Sequence, residues 1–141
     1  MASFNKFNSF TEHVAEKVHN LGGDTLKWLL TNSAPVATNT VKANLTEISA
    51  GNGYTAGGPT PTISSSAQAS GVYKLVLADV TITASGGSIG PFRYVVLYND
   101  TPTSPADPLI GWYDYAAALT LADGESFLID ADPTAGVLTI T

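Results

Sequence analysis

Five groups of residues have the types or the spacing that chemistry can use. Gly86-Gly87-Ser88-Ile89-Gly90 spells the G-x-S-x-G pattern of a nucleophile elbow, which requires a strained strand-to-helix turn and a histidine base within hydrogen-bond reach. Here the pattern lies between two strand-like segments, and both histidines, His13 and His19, precede it where the hydrolase order places one after it. A flexible turn between strands is the simpler use. His13 and His19 are six positions apart, about 240° around a helix, so they do not share the face that zinc-binding pairs four apart use. They read as two partly exposed helical side chains.

Asp130-Ala131-Asp132 and Asp123-Gly124-Glu125 offer the carboxylate oxygens that a hard cation wants. Their spacing is not that of an EF-hand, because Ala135 stands where that loop needs glycine and Thr141 where it needs its final acid. Polar turns account for them. The segment Gly51-Asn52-Gly53-Tyr54-Thr55-Ala56-Gly57-Gly58 is rich enough in glycine to bring backbone N–H groups to an anion. It lacks the Lys-Ser/Thr ending, the following helix and the G-x-G-x-x-G spacing, and turns with positive φ explain its glycines. Trp112, Tyr113 and Tyr115 are able to stack on a sugar ring while Asp114 accepts its hydroxyls. Strand alternation turns Trp112 and Tyr113 to opposite faces, which favours core packing instead. No catalytic, cofactor-binding or metal constellation emerges, and the chain reads as a non-enzyme.

The elements that must position these residues are mostly strands. Phe4, Phe7, Phe10, Val14, Val18 and Leu21 recur three and four positions apart, which predicts one helix over about residues 5–21 with these side chains on one face. Ser9 with Glu12 is a capping-box pattern, and Gly22-Gly23 is a C-terminal stop. Residues 25–31 form a compact apolar run ended by Asn32-Ser33-Ala34-Pro35, as a first strand would be. Residues 33–71 are rich in Ser, Thr, Gly, Pro and Ala and read as long loops with short strand pieces. From Val72 onward, alternation predicts strands through Tyr73–Leu77 and Val80–Ala84. Phe92–Tyr98 is apolar on both faces, the mark of a central strand covered on each side. Leu109–Tyr115, Ala118–Leu121, Ser126–Asp130 and Val137–Ile140 follow, and Asp123-Gly124 is a hairpin signal. The sum is an all-β fold, a jelly roll or β-sandwich of about eight strands with one N-terminal α-helix, and a closed barrel as the other topology.

All 141 residues fit a single domain, a helix at 5–21 followed by a β-domain over 25–141. Charged residues make up 13% of the chain, about half the typical ~25%, so the surface is neutral and polar. Twelve acidic residues against six basic ones give a net charge of −6, which disfavours nucleic acid as a partner. The single arginine, Arg93, and five scattered lysines form no basic stripe for anionic lipid. No apolar run approaches a membrane span or a secretory h-region. Without cysteine there is no disulfide, thiolate nucleophile or Cys-based zinc site. Few lysines guard the strands, so open edges call for an assembly or a loop to cover them.

Three strings carry a resemblance. They are Phe4–Thr31, with Phe-Asn-Lys-Phe and His-Val-Ala-Glu-Lys-Val-His-Asn-Leu-Gly-Gly-Asp-Thr-Leu-Lys-Trp-Leu-Leu-Thr-Asn; Leu45–Gly58; and Phe92–Asp114, with Phe-Arg-Tyr-Val-Val-Leu-Tyr-Asn-Asp and Leu-Ile-Gly-Trp-Tyr-Asp. Together they resemble a family of small structural proteins of tailed bacteriophages, most like a capsid decoration or cement protein. The resemblance implies a chain made in the host cytoplasm that ends on the outer capsid surface. There, a homo-oligomer, dimer or trimer, binds the phage major capsid protein and stabilises the head. It also implies contact surfaces, for which the expected residues are Phe4, Phe7 and Phe10 on the helix and Asn52, Tyr54, Gly57 and Gly58 in the loop. Packing of the phenylalanines across the chain's own sheet is the competing expectation. A tail or fibre module touching host glycan through the Trp112 segment is the alternative role.

Overall fold

In the computed structural model, which describes residues 2–141, the chain runs through β1 (Phe4–Lys6), α1 (Asn8–Ala15), β2 (Leu26–Thr31), β3 (Ile63–Ala69), β4 (Val72–Leu77), β5 (Val80–Thr83), β6 (Ile89–Asn99), β7 (Leu109–Leu121), β8 (Ser126–Ile129) and β9 (Leu138–Ile140). The fold is all-β with one N-terminal helix. Every strand pairing is antiparallel, in a four-stranded sheet ordered β1-β7-β6-β2, a three-stranded sheet β3-β4-β9 and the pair β5-β8.

Alternation along the four-stranded sheet decides how the sheets pack. Leu26, Trp28 and Leu30 of β2, Val95 and Leu97 of β6 and Tyr113 of β7 share one core with Leu75 and Leu77 of β4, Ile82 of β5 and Ile129 of β8. The four-stranded sheet is therefore one layer, and the two smaller sheets form the layer opposite. Leu29, Val96, Tyr98 and Leu109, which point the other way, join Phe7 in a second core on the outer face. β6 is thus covered on both sides, as its apolar run Tyr94–Tyr98 predicts. Among the described residues, no helix is long and apolar enough to cross a membrane.

Several local expectations change. The helix spans Asn8–Ala15, not 5–21. Upstream, Phe4, Asn5 and Lys6 extend to pair with Tyr113, Trp112 and Gly111; downstream, Lys17 takes φ +67 and reverses the chain. Ser9 does not cap the helix, since Phe7 occupies the cap position without a side-chain bond. The segments 109–115 and 118–121 are one strand, β7. Asp123-Gly124 makes a tight turn but no hairpin, because β8 leaves β7 and pairs with β5. The actual tight hairpin is β3-β4, closed by Ser70 at φ +51 and Gly71 at φ +81, the two positive φ values of a type I′ turn.

Candidate functional site

The seven residues expected to contact a partner fall into two groups, and most of them are interior. Phe4 is half-buried on β1, its ring edge-on to Tyr113 at 5.2 Å. Phe7 has no exposed surface and lies 4.5 Å from the Trp112 ring. Phe10 is 5% exposed and packs on His19 at 5.3 Å. Only Phe10 is on the helix, so no phenylalanine stripe exists: Phe10 faces the main core and Phe7 the outer one. That placement corrects the expectation of surface contacts at Phe7 and Phe10 in favour of packing within the chain.

The loop from Leu45 to Pro59 is a fitted cover for the outer edge of β2. Trp28 N–H donates to the Pro59 carbonyl at 3.0 Å, and Ile48 N–H to the Leu30 carbonyl at 3.1 Å. Tyr54 is 2% exposed; its hydroxyl accepts from Leu30 N–H at 3.1 Å and donates to Glu47 Oε1 at 2.7 Å. The same Glu47 oxygen accepts from Gly57 N–H at 2.6 Å, and Tyr98 O–H donates to the Gly57 carbonyl at 2.7 Å. Burial pushes the Tyr54 hydroxyl well above the ordinary phenol range, and the Glu47 carboxylate adds to the shift, so Tyr54 stays a donor. Tyr54, Gly57 and Gly58 are buried here, and of the four loop residues only Asn52 is exposed. Its amide donates to the Ser88 carbonyl at 3.0 Å. Glu47, which organises this loop, was not singled out by sequence. The available signal was its position as the last charge before a neutral run from Ile48 to Tyr73.

The other candidate groups mostly serve their own turns. Ser88 lies between β5 and β6, and no hydrogen bond joins its hydroxyl to a histidine among the described residues. Asp130 Oδ1 accepts from Asp132 N–H, Asp132 Oδ1 from Ala135 N–H, Asp79 Oδ1 from Ala131 N–H, Asp123 Oδ1 from Gly86 N–H and Glu125 Oε1 from Ala122 N–H. No group of three or more His, Asp or Glu among the described residues is arranged to hold a metal. Trp112 and Tyr113 do point to opposite faces, into the outer and main cores respectively. Tyr115 packs on Phe127 at 5.1 Å. Asp114 is gripped by Arg93 through two bonds of 2.8 and 3.1 Å.

His13 and His19 come together in a way that a continuous helix forbids. The reversal at Lys17 folds His19 under the helix, where it is 9% exposed and its ring lies 5.8 Å from that of His13. This corrects the expectation for His19, which is neither helical nor partly exposed, whereas His13 is on the helix and half-buried as expected. Asn99 Nδ2 donates to Asp24 Oδ2 at 2.7 Å and also to His19 Nδ1 at 3.1 Å, which leaves the ring proton on Nε2. His19 Nε2 and His13 Nδ1 are both buried without a partner. Burial, reinforced by His13 and opposed by Asp24, pushes His19 from 6.5 down to about 4.

A pH dependence follows. The unfolded chain takes a proton on this ring near 6.5 and the folded chain only near 4, so the unfolded state binds more protons between those values. The contribution to stability is full above about pH 6.5, declines as pH falls toward 4 and is flat below. Its size is on the order of 2 kcal/mol after allowance for partial solvent access. Urea unfolding at pH 7 and pH 4.5 measures it. His19→Gln removes this part of the slope, whereas an equal slope in both proteins shows that the ring is not desolvated.

With these contacts in place, the chain was compared with protein-family models, curated proteins and solved structures, and none of them matches it.

Proposed function

We propose that the chain is a non-enzymatic structural protein of a tailed-bacteriophage virion, most like a capsid decoration protein that binds the outer shell as a homo-oligomer. The reading rests on the resemblance drawn from the strings Phe4–Thr31, Leu45–Gly58 and Phe92–Asp114. The physical chemistry agrees with it. A β-domain sparse in charged residues, with tightly bonded loops, suits an adhesive role, in which each copy adds a modest contact and many copies on one shell add up. Apolar area buried between neighbours stabilises by roughly 25 cal/mol per Å². With Phe7 and Phe10 interior, the large apolar side chains exposed among the described residues are Val36, Val72, Leu119 and Leu128. They are the candidates for those contacts. The tail or fibre role would rest on the aromatic segment, in which Trp112 and Tyr115 are half-buried, Tyr113 is 4% exposed and Asp114 is paired with Arg93.

Quantifying the chain in purified virions tests the reading. A decoration protein is expected at hundreds of copies on an intact head. A few to dozens of copies would move it to the tail, and absence from virions would end the proposal. Turnover of a glycan by the purified chain would also end it.

A further inference from the structure

Sheet edges in this fold are treated unequally. The outer edge of β2 is sealed by the 45–59 loop through bonds to Trp28 N–H and the Leu30 carbonyl. The outer edge of β3 has no such cover: every residue from Ser64 to Ala69 is exposed. It also lacks the usual guards, because Ile63-Ser64-Ser65-Ser66-Ala67-Gln68-Ala69 contains no charge and no proline.

The register says which backbone groups are open. Ala69 pairs with Val72 across a two-residue turn, which is a hydrogen-bonded pair in a hairpin of that type. Alternation makes Ala67 with Lys74 and Ser65 with Val76 the next bonded pairs. Ser66 and Gln68 therefore present both N–H and C=O outward, away from β4. The strand is held in place to do so. The Ser66 hydroxyl is bonded to the Tyr73 hydroxyl at 2.7 Å beside Gly22, and β9 pairs with the far side of β4.

We infer that this edge is where a second copy of the chain docks, β3 against β3, antiparallel about a two-fold axis at Ala67. Charge decides for a second copy. Each chain carries −6 overall, yet no ionisable Asp, Glu, Lys, Arg or His lies between Ile48 and Tyr73, so two like-charged copies meet here without opposing side-chain charges. The pairing is also self-complementary. Outward groups of Ser66 meet those of Gln68 in the second copy and the reverse, while Ala67 faces Ala67 and Ser65 faces Ala69 with no steric conflict. The nearest like charges are the two Lys74 side chains, three strand spacings or roughly 14 Å apart, beyond the screening distance at physiological salt. Each Lys74 amine is moreover tied back to its own Thr134 carbonyl at 3.1 Å. The product is one continuous six-stranded sheet, β9-β4-β3 joined to its copy.

This deepens the homo-oligomer part of the reading above and does not depend on the virion. Sedimentation equilibrium of the purified chain over a concentration series is expected to give a dimer. Ala67→Lys or Ala67→Glu alone should raise its dissociation constant at least tenfold, and an equimolar mixture of the two should restore association by setting opposite charges across the axis. In the wild-type chain, the Ser66 and Gln68 amides should be protected from hydrogen exchange when concentrated and exchange freely on dilution. The Ala67 and Ala69 amides, bonded within the chain, should stay protected in both. A wild-type monomer at every concentration, or a dimer unaffected by either charge, overturns the inference. A dimer that behaves as expected from a protein missing from virions overturns only the virion reading.

Discussion

Phe7→Asp is expected to leave almost no soluble, folded protein. Phe7 has no exposed surface and sits among Leu29, Val96, Tyr98 and Leu109, with the Trp112 ring 4.5 Å away. Truncating such a side chain costs roughly 3–5 kcal/mol, and leaving a carboxylate in its place adds the cost of an unpaired buried charge or of protonating it. Total stability of a domain is about 5–15 kcal/mol, so the substitution removes most or all of it. The backbone on either side is also committed: Phe7 N–H donates to the Ile110 carbonyl and Asn8 N–H to the Ala37 carbonyl. Expression with a soluble-to-insoluble ratio and a thermal melt measures the effect, with Phe7→Leu as a soluble reference that loses about 1–2 kcal/mol. Full solubility and an unchanged melt for Phe7→Asp would return Phe7 to the surface and revive its role as a partner contact.

The phenylalanine spacing shows where sequence reasoning reaches its limit. Intervals of three fit a helix, but they place no demand on residues 4–6 once β7 offers an open edge for them to pair with. Tertiary pairing overrode a local pattern. The same happened at Asp123-Gly124, whose turn chemistry is sound but whose second strand finds β5. By contrast, β6 is legible because burial on two faces leaves the apolar run Tyr94–Tyr98, which little else explains. Strand β3, in the other layer, is not distinguished from loop, because serines and alanines on an exposed edge carry no burial signal. The candidate site was legible as a place and not as a role. The glycines of 51–58 announce tight backbone geometry, while the reason for it lies partly in the same loop, at the Glu47 carboxylate, and partly at the edge of β2, more than twenty residues earlier in the chain.

Gly58→Ala tests that reason and is expected to strip the loop from β2. Gly58 has φ +86, and a Cβ on it would collide with the Trp28 carbonyl oxygen and lie 2.6 Å from its carbon. β2 has no room to retreat, because Trp28 pairs with Leu97 on its other side and is itself fully buried. The loop must move instead, which breaks the Trp28 N–H bond to Pro59 and pulls Gly57 from Glu47 and Tyr98. Gly124→Ala separates the two costs, since Gly124 has nearly the same φ, +88, with nothing within 4 Å of an added Cβ. It should lose about 1 kcal/mol from backbone strain alone. Gly58→Ala should lose at least about 3 kcal/mol, seen as a fall in melting temperature of roughly 10 °C or more. Hydrogen exchange at Trp28 should accelerate in Gly58→Ala and remain slow in Gly124→Ala, because only the first uncovers the edge of β2. Equal losses in the two variants, with Trp28 still protected in both, would mean that the loop does not bear on β2 as closely as the geometry requires. With the loop displaced, β2 becomes an additional open edge, so Gly58→Ala is also expected to aggregate on warming where the wild-type chain does not.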